Sequence, residues 1–181
     1  FYDDYIAYYE LTNNTAKKQE FCQKLYSANA VPKGVLDYNY NVLQSLDQNA
    51  ILFVNGADDT YPIWLQQNVK NVRKDITILN TDLLSVESYR TKKMKDLGVT
   101  TKVSFSDDRV GFIKSIAKEN PSKPIYFALT LAPKALTGLQ DNLYLTGLAL
   151  KYSAEPLDNI PILQSNWEKN FRVSSLDDVH T

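Results

Sequence analysis

The chain has 181 residues, of which 44% are hydrophobic and 23% are charged, and its formal net charge is -1. This length and composition are typical of one globular domain, and the near-neutral charge excludes the basic footprint of a nucleic-acid-binding protein. No apolar run approaches the ~20 residues that span a bilayer, so we do not expect this chain itself to cross a membrane.

Several kinds of chemistry are excluded by the residues that are missing. Cys22 is the only cysteine and His180 the only histidine, so neither a thiolate zinc site nor a Ser-His-Asp triad can be built. The phosphate-binding patterns GxGxxG and GxxxxGK are absent as well. A carboxylate mechanism or no catalysis remains, and we expect no cofactor. The chain starts at Phe1 without an initiator methionine, so we expect it to be part of a longer protein.

The first 45 residues are predicted to form a helical lead-in that packs on the main domain. Tyr2, Tyr5 and Tyr9 repeat at helical spacing, and two further helical patterns follow over residues 15–28 and 35–46. The tyrosine stripe could stack on a sugar ring or pack on a neighbouring helix, and we expect packing.

Residues 46–176 are predicted to form an α/β domain, followed by a frayed tail over 177–181. Apolar runs at 50–54 and 124–130 are typical of buried strands, the β-rich run at 75–80 predicts a further strand, and helical patterns lie between them. We also expect a fourth strand over 143–152, an edge strand or linker over 101–105, and a last helix over 166–176. This order predicts a Rossmann-like, three-layer α/β fold with a largely parallel sheet and helices on both faces.

Polar side chains follow three of the predicted strands, and in an open parallel sheet this edge binds ligands. The candidate ligand-binding residues are Asn55, Asp58, Asp59, Thr60, Asn80, Asp82 and Thr130. Asp58 and Asp59 are also the alternative ligands of a hard cation such as Mg²⁺ or Ca²⁺. The architectural alternative is that Asp59 or Thr60 caps a helix in which Pro62 occupies the first turn.

The stretch from Asn55 to Trp64, NGADDTYPIW, resembles a known family pattern. It is similar to the soluble C-terminal region of bacterial membrane proteins of uncharacterised function that carry an N-terminal protein O-mannosyltransferase-like domain. Their pattern runs Asn-Gly-Asp-Asn-Asp-Thr, then Tyr or Phe, Pro, an aliphatic residue and Trp. Ala57 and Asp58 replace the Asp and Asn that are usual in the family, so only Asp59 corresponds to a family acid.

The resemblance continues over about residues 46–150, for example at Gln67, Arg73, Asp75 and Asn80. It implies an extracytoplasmic, periplasmic location and assigns no activity to the soluble part. We therefore expect a non-catalytic module that binds a glycan, a peptide or a partner subunit at the strand ends.

Two alternatives to this function stay open. The first is a cation-dependent transferase or hydrolase that uses Asp58, Asp59 and Asp82. The second is a purely structural domain, which would have no ligand-sized pocket beside Asn55 and Asn80.

Overall fold

The computed structural model describes residues 1–101 and 103–173. In these ranges the helices are α1 (Tyr2–Leu11), α2 (Thr15–Ser27), α3 (Lys33–Gln44), α4 (Gly56–Asn68), α5 (Glu87–Leu97), α6 (Arg109–Glu119) and α7 (Ile160–Lys169). The strands are β1 (Ile51–Val54), β2 (Thr77–Asn80), β3 (Ile125–Ala128), β4 (Leu143–Leu145) and β5 (Ala149–Tyr152).

The five strands form one mixed sheet in the order β2-β1-β3-β5-β4. Strand β1 runs parallel to both β2 and β3, whereas β5 runs antiparallel to β3 and to β4. The predicted three-layer α/β fold is confirmed, and the C-terminal hairpin β4–β5 makes the sheet mixed.

Helices cover both faces of the sheet because successive side chains of a strand point in opposite directions. Leu52 and Val54 belong to a core that includes side chains of α1 to α4. Ile51 and Phe53 belong to a second core that includes side chains of α5 and α6. The Phe53 ring stacks on Phe127 with 5.3 Å between their centroids, which joins β1 to β3 on this second face.

Residues 143–152 do not form the single strand that was predicted. They form two short strands that pair as a hairpin, with Gly147 in the turn. A methyl group at Gly147 would collide with the side chain of Ser45, so this glycine is needed for a close approach of the hairpin to the end of α3.

Three further boundaries differ from expectation or cannot be compared. Residues 101 and 103–105 form no strand. The last helix begins at Ile160 rather than at residue 166, and Pro161 lies in its first turn, where no intrahelical N–H donor is needed. Residues 174–176 of that predicted helix, and the predicted frayed tail 177–181, lie outside the described residues. The division into a lead-in and a main domain stays a prediction.

Over the ranges that the structure covers, none of the helices combines the length with the apolar character that crossing a lipid bilayer requires.

Candidate functional site

The C-terminal ends of β1, β2 and β3 lie side by side because these strands are parallel neighbours. Asn55 follows β1, Asn80 ends β2, and Thr130 comes two residues after β3. The remaining predicted residues lie in the first turns of α4 or just after β2. The structure therefore places all seven predicted side chains along one edge, but in different environments.

Asp59 is the buried carboxylate of this edge, with 4% of its surface exposed. Burial raises the pKa of Asp59, the hydrogen bond that Thr130 donates to its carboxylate opposes the shift, and the charge of Asp58 adds to it. The neighbouring Asp58 is exposed. The two carboxylates are adjacent in sequence on a helix and so face different directions.

Hydrogen bonds of Thr60 and Asn80 join the start of α4 to the end of β2. Asn80 Nδ2 donates to Thr60 Oγ1 at 2.9 Å, and Thr60 donates in turn to the Gly56 carbonyl at 2.6 Å. Asn80 Oδ1 accepts from the backbone N–H groups of Asp82 and Leu83 at 2.8 and 3.1 Å. Both side chains are buried and engaged with the protein, so they shape the edge.

The side chain of Asn55 is hydrogen-bonded within the protein, whereas that of Asp82 faces solvent. Asn55 Oδ1 accepts a hydrogen bond from Thr81 Oγ1 at 3.1 Å, which adds a second side-chain link between the segments that follow β1 and β2. The side chain of Asp82 is exposed and borders an open cleft. Together with Asp58, it is one of the two predicted site residues that present a carboxylate to solvent.

The helix-capping alternative is wrong for both Asp59 and Thr60, because α4 begins at Gly56 and not near Pro62. Asn55 is the N-cap residue, and its side chain makes no capping hydrogen bond. Pro62 lies inside the helix, where its missing N–H leaves the Asp58 carbonyl without its helical donor. Asn39 Nδ2 from α3 replaces that donor at 3.2 Å. This role of Asn39 was not predicted, because helical periodicity assigns the residue to a helix but does not show which distant residue it contacts.

Two clefts adjoin this edge, and Ala57 and Tyr61 line both of them. The strand-end cleft has a volume of about 240 Å³, and its lining includes Ala7, Thr60, Trp64, Asn80 and Asp82. The aromatic cleft has a volume of about 500 Å³, and its lining includes Phe1, Tyr2, Asp3, Val35 and Asp58. Helix α1 forms a wall of each cleft, so the lead-in is part of the candidate site.

A buried charge network holds α1 in this position. Glu10 lies 2.6 Å from Lys18 Nζ of α2 and 2.6 Å from Lys93 Nζ of α5, and Tyr89 donates to it at 3.3 Å. Burial alone would raise the pKa of Glu10, but the two ammonium groups outweigh it and hold the pKa below its usual value. The Lys18 ammonium group also lies 3.9 Å from the ring centroid of Trp64, a residue of the strand-end cleft.

The tyrosine stripe of α1 packs against α2, as predicted. Tyr5 stacks on Phe21 with 4.6 Å between centroids, and Tyr2 and Tyr9 contact the same ring. Cys22, next to Phe21, is fully buried, and burial raises the pKa of its thiol to about 11. This cysteine therefore has the properties of a structural residue.

Away from the strand ends, three residues that carry the family resemblance have structural roles. We call Gln67, Arg73 and Asp75 the frame. The Arg73 guanidinium donates to the carbonyls of Leu43, Leu46 and Asp47, each at 2.9 Å, and pairs with both oxygens of Asp75. This pairing holds the pKa of Asp75 at about 2.

The glutamine of the same frame closes the turn before β2. Gln67 Nε2 donates to the carbonyls of Arg73 and Ile76 at 3.0 and 2.8 Å. Arg73, Asp75 and Gln67 thus fix the chain on either side of β1 and β2, which is a structural role.

No group of three or more His, Cys, Asp or Glu side chains gathers in a metal-binding arrangement within residues 1–101 and 103–173. The contribution of Asp58 and Asp59 to a cation site stays a prediction, to be tested by titration.

Comparison with known families gives one match. The family described as TMEM260-associated domain 2 matches residues 35–101, which extend from α3 to just beyond α5 and include β1, α4 and β2. The chain is similar to this family over the segment that carries the NGADDTYPIW stretch, Gln67, Arg73 and Asn80. No curated protein and no solved structure matches the chain.

Proposed function

We propose that this chain is a non-catalytic binding module of an extracytoplasmic, periplasmic protein of the bacterial cell envelope, and that it binds a glycan at the strand-end edge. The observation that carries this proposal is the aromatic cleft, where the rings of Tyr2 and Tyr61 adjoin the exposed carboxylate of Asp58. The location and the bacterial context come from the resemblance of the NGADDTYPIW stretch.

A sugar needs two kinds of surface, and the aromatic cleft offers both. The C–H groups of a sugar ring pack against aromatic faces, and its hydroxyl groups donate to carboxylates. Tyr61 is held in place by an edge-on contact with Trp64, with 5.8 Å between centroids. Asp58 has no ion-pair partner in the described ranges, so its oxygens remain available as acceptors. The volume of about 500 Å³ is in the range of small-molecule sites.

The alternative occupants are a peptide and a partner subunit, which the same cleft would hold by packing apolar side chains against its rings. The purely structural alternative requires that the edge be closed beside Asn80. An open cleft of about 240 Å³ lies at that position, so the edge is not closed there.

Binding of neutral oligosaccharides tests the proposal directly. Maltose, cellobiose and mannobiose are titrated into the chain, and binding is followed by calorimetry. The variants Tyr61→Ala and Asp58→Asn are each expected to weaken sugar binding by about 3- to 10-fold, since one aromatic contact or hydrogen bond contributes about 0.5–1.5 kcal/mol.

Matched controls are Tyr8→Ala and Asp107→Asn, which remove the same groups from exposed positions outside the lining of both clefts. These controls should bind like the wild type. If no oligosaccharide binds, or if all four variants bind equally well, the glycan proposal is rejected. Binding of a peptide that Tyr61→Ala abolishes would point to the peptide alternative.

The cation-dependent enzyme alternative has its own test. Mn²⁺, Mg²⁺ and Ca²⁺ are titrated into the wild type and into Asp59→Ala. Tight cation binding that Asp59→Ala removes would favour the enzyme. Equal heats for both proteins would reject Asp59 as a metal ligand.

A further inference from the structure

A pocket lined by four lysine side chains opens at the N-terminal end of the parallel strands, opposite the C-terminal ends where the two clefts lie. We call it the lysine pocket and define it by Lys114, Lys118, Lys123 and Lys151, with a volume of about 520 Å³. It lies at the start of β3, because Lys151 of β5 pairs with Tyr126, the second residue of that strand. The site is therefore independent of the proposed glycan site.

Three different elements bring these positive charges together. Lys114 and Lys118 lie one turn apart on α6, Lys123 follows in the turn before β3, and Lys151 comes from β5. The helix dipole favours a cation at Lys118, which lies in the last turn of α6. It does not account for the other three lysines, in a chain whose overall net charge is -1.

Protein carboxylates neutralise only part of this charge. Lys151 Nζ lies 2.6 Å from Asp47 Oδ2. In the part of the chain that the structure describes, no carboxylate lies within ion-pair distance of the other three ammonium groups. The nearest acidic residue of α6, Glu119, accepts a hydrogen bond from Thr100 Oγ1 at 3.1 Å. The pocket thus keeps about three unneutralised positive charges around one cavity.

We propose that the lysine pocket binds a phosphate ester or diphosphate group. Lysine ammonium groups bind phosphate as point charges, and a doubly charged anion matches a cluster of three better than a single carboxylate does. Pro121, Pro124 and Tyr152 also line the pocket, and their rings can pack against the organic part that carries the phosphate. A nucleic acid would need an extended basic stripe, which a single pocket in a chain of net charge -1 does not supply.

Calorimetry of the whole chain with inorganic pyrophosphate at low ionic strength tests the proposal. Pyrophosphate should bind one to one, and its affinity should fall as salt rises through the range where the Debye length is about 10 Å. The double variant Lys118→Gln with Lys123→Gln should bind pyrophosphate about 25-fold more weakly, since each ion pair at about 4 Å in water contributes a factor of about 5.

The control is the double variant Lys95→Gln with Lys134→Gln, which removes the same charge from exposed lysines outside the pocket. Its affinity should change by about twofold or less, because distant surface charges are screened. Both double variants should keep the melting temperature of the wild type. If the pocket variant does not fold, the single variant Lys114→Gln, at an exposed side chain, should still weaken binding about fivefold.

Vesicles distinguish the two sources of phosphate. Sedimentation with phosphatidylcholine vesicles that contain phosphatidic acid tests a lipid headgroup, and free pyrophosphate tests a soluble ester. Binding of either probe that is lost in the pocket variant and kept in the control supports the proposal. Absence of binding to both probes, or equal binding by both double variants, overturns it.

Discussion

Replacement of Glu10 by glutamine should be the most damaging conservative change in this chain. The side chains of Glu10 and Lys18 are only 7% and 10% exposed, whereas that of Lys93 is 24% exposed. In Glu10→Gln, Lys93 can turn toward water, but Lys18 stays confined between α1, α2 and the Trp64 ring. The variant therefore contains a buried ammonium group without a counter-ion.

The expected loss in the free energy of unfolding has an upper limit. Breaking a buried ion pair by removing one partner costs about 3–5 kcal/mol. Lys18 can escape part of this cost by releasing its proton, which at pH 7 costs about 4.6 kcal/mol for an ordinary lysine pKa of about 10.4. We therefore expect Glu10→Gln to lower the free energy of unfolding by about 3–5 kcal/mol at pH 7.

The pH dependence identifies the responsible group. If Lys18 is neutral in the folded variant, the unfolded chain binds one more proton than the folded one at every pH between 7 and about 10.4. The stability of the variant should then rise with pH by about 1.4 kcal/mol per pH unit, and its gap to the wild type should shrink accordingly.

Urea unfolding at pH 7, 8 and 9, followed by tryptophan fluorescence and circular dichroism, measures both quantities. The control is the double variant Glu10→Leu with Lys18→Met, which replaces the pair by apolar groups and should recover most of the stability. A loss below about 1 kcal/mol for Glu10→Gln would refute a confined charge at Lys18. A gap that does not change with pH would show that Lys18 keeps its proton in the folded variant and would refute its neutralisation.

Three further substitutions test the edge and its frame. Asp59→Asn should increase stability at pH 7, because burial raises the folded-state pKa of Asp59. The wild type therefore loses stability as pH rises from the unfolded-state pKa of about 3.9 to the raised folded-state pKa. Urea unfolding should show the gain vanishing below about pH 3.9, and no gain at pH 7 would contradict the desolvation. Asn39→Leu should cost about 1 kcal/mol, since it leaves the Asp58 carbonyl without a donor. That cost should fall in a Pro62→Ala background, where the helix regains its N–H group, and additive effects in a double-mutant cycle would exclude this compensation. Arg73→Lys should cost about 1–3 kcal/mol in urea unfolding, because three donors cannot satisfy three carbonyls and a bidentate carboxylate; wild-type stability would show that these hydrogen bonds contribute nothing.

The sequence predicted the three parallel strands because β1 and β3 are continuously apolar and β2 lies in a run rich in β-branched residues. The runs at 50–54, 75–80 and 124–130 contain β1, β2 and β3. It did not reveal the hairpin β4–β5, since Gly147 weakens any strand pattern, and its contact with Ser45 is not visible in the chain order. It also misplaced the start of α4, because Pro62 usually marks a first turn and here lies in the helix interior, where a donor from α3 serves the Asp58 carbonyl.

The candidate edge was predictable to the extent that parallel strands end together. This rule brought Asp59 and Thr130 into one prediction, and they form a hydrogen bond across 71 residues of sequence. The wall formed by α1 was not predictable, because periodicity describes the face of a helix and not its distant partner. Glu10 and Tyr89 are 79 residues apart, and no local pattern marks either of them.

The charge network also has a consequence for the order in which the chain folds. During synthesis Glu10 precedes Tyr89 by 79 residues, an interval of about 4–16 s at ~5–20 residues per second. The residues of α1 and α2 are therefore synthesised seconds before α5 is available to pack against them. The contacts among Tyr5, Tyr9 and Phe21 let the pair cover part of its own aromatic surface during that interval. We expect this long-range contact to form after the folding transition state, so changes at Glu10 should mainly accelerate unfolding and leave the folding rate nearly unchanged.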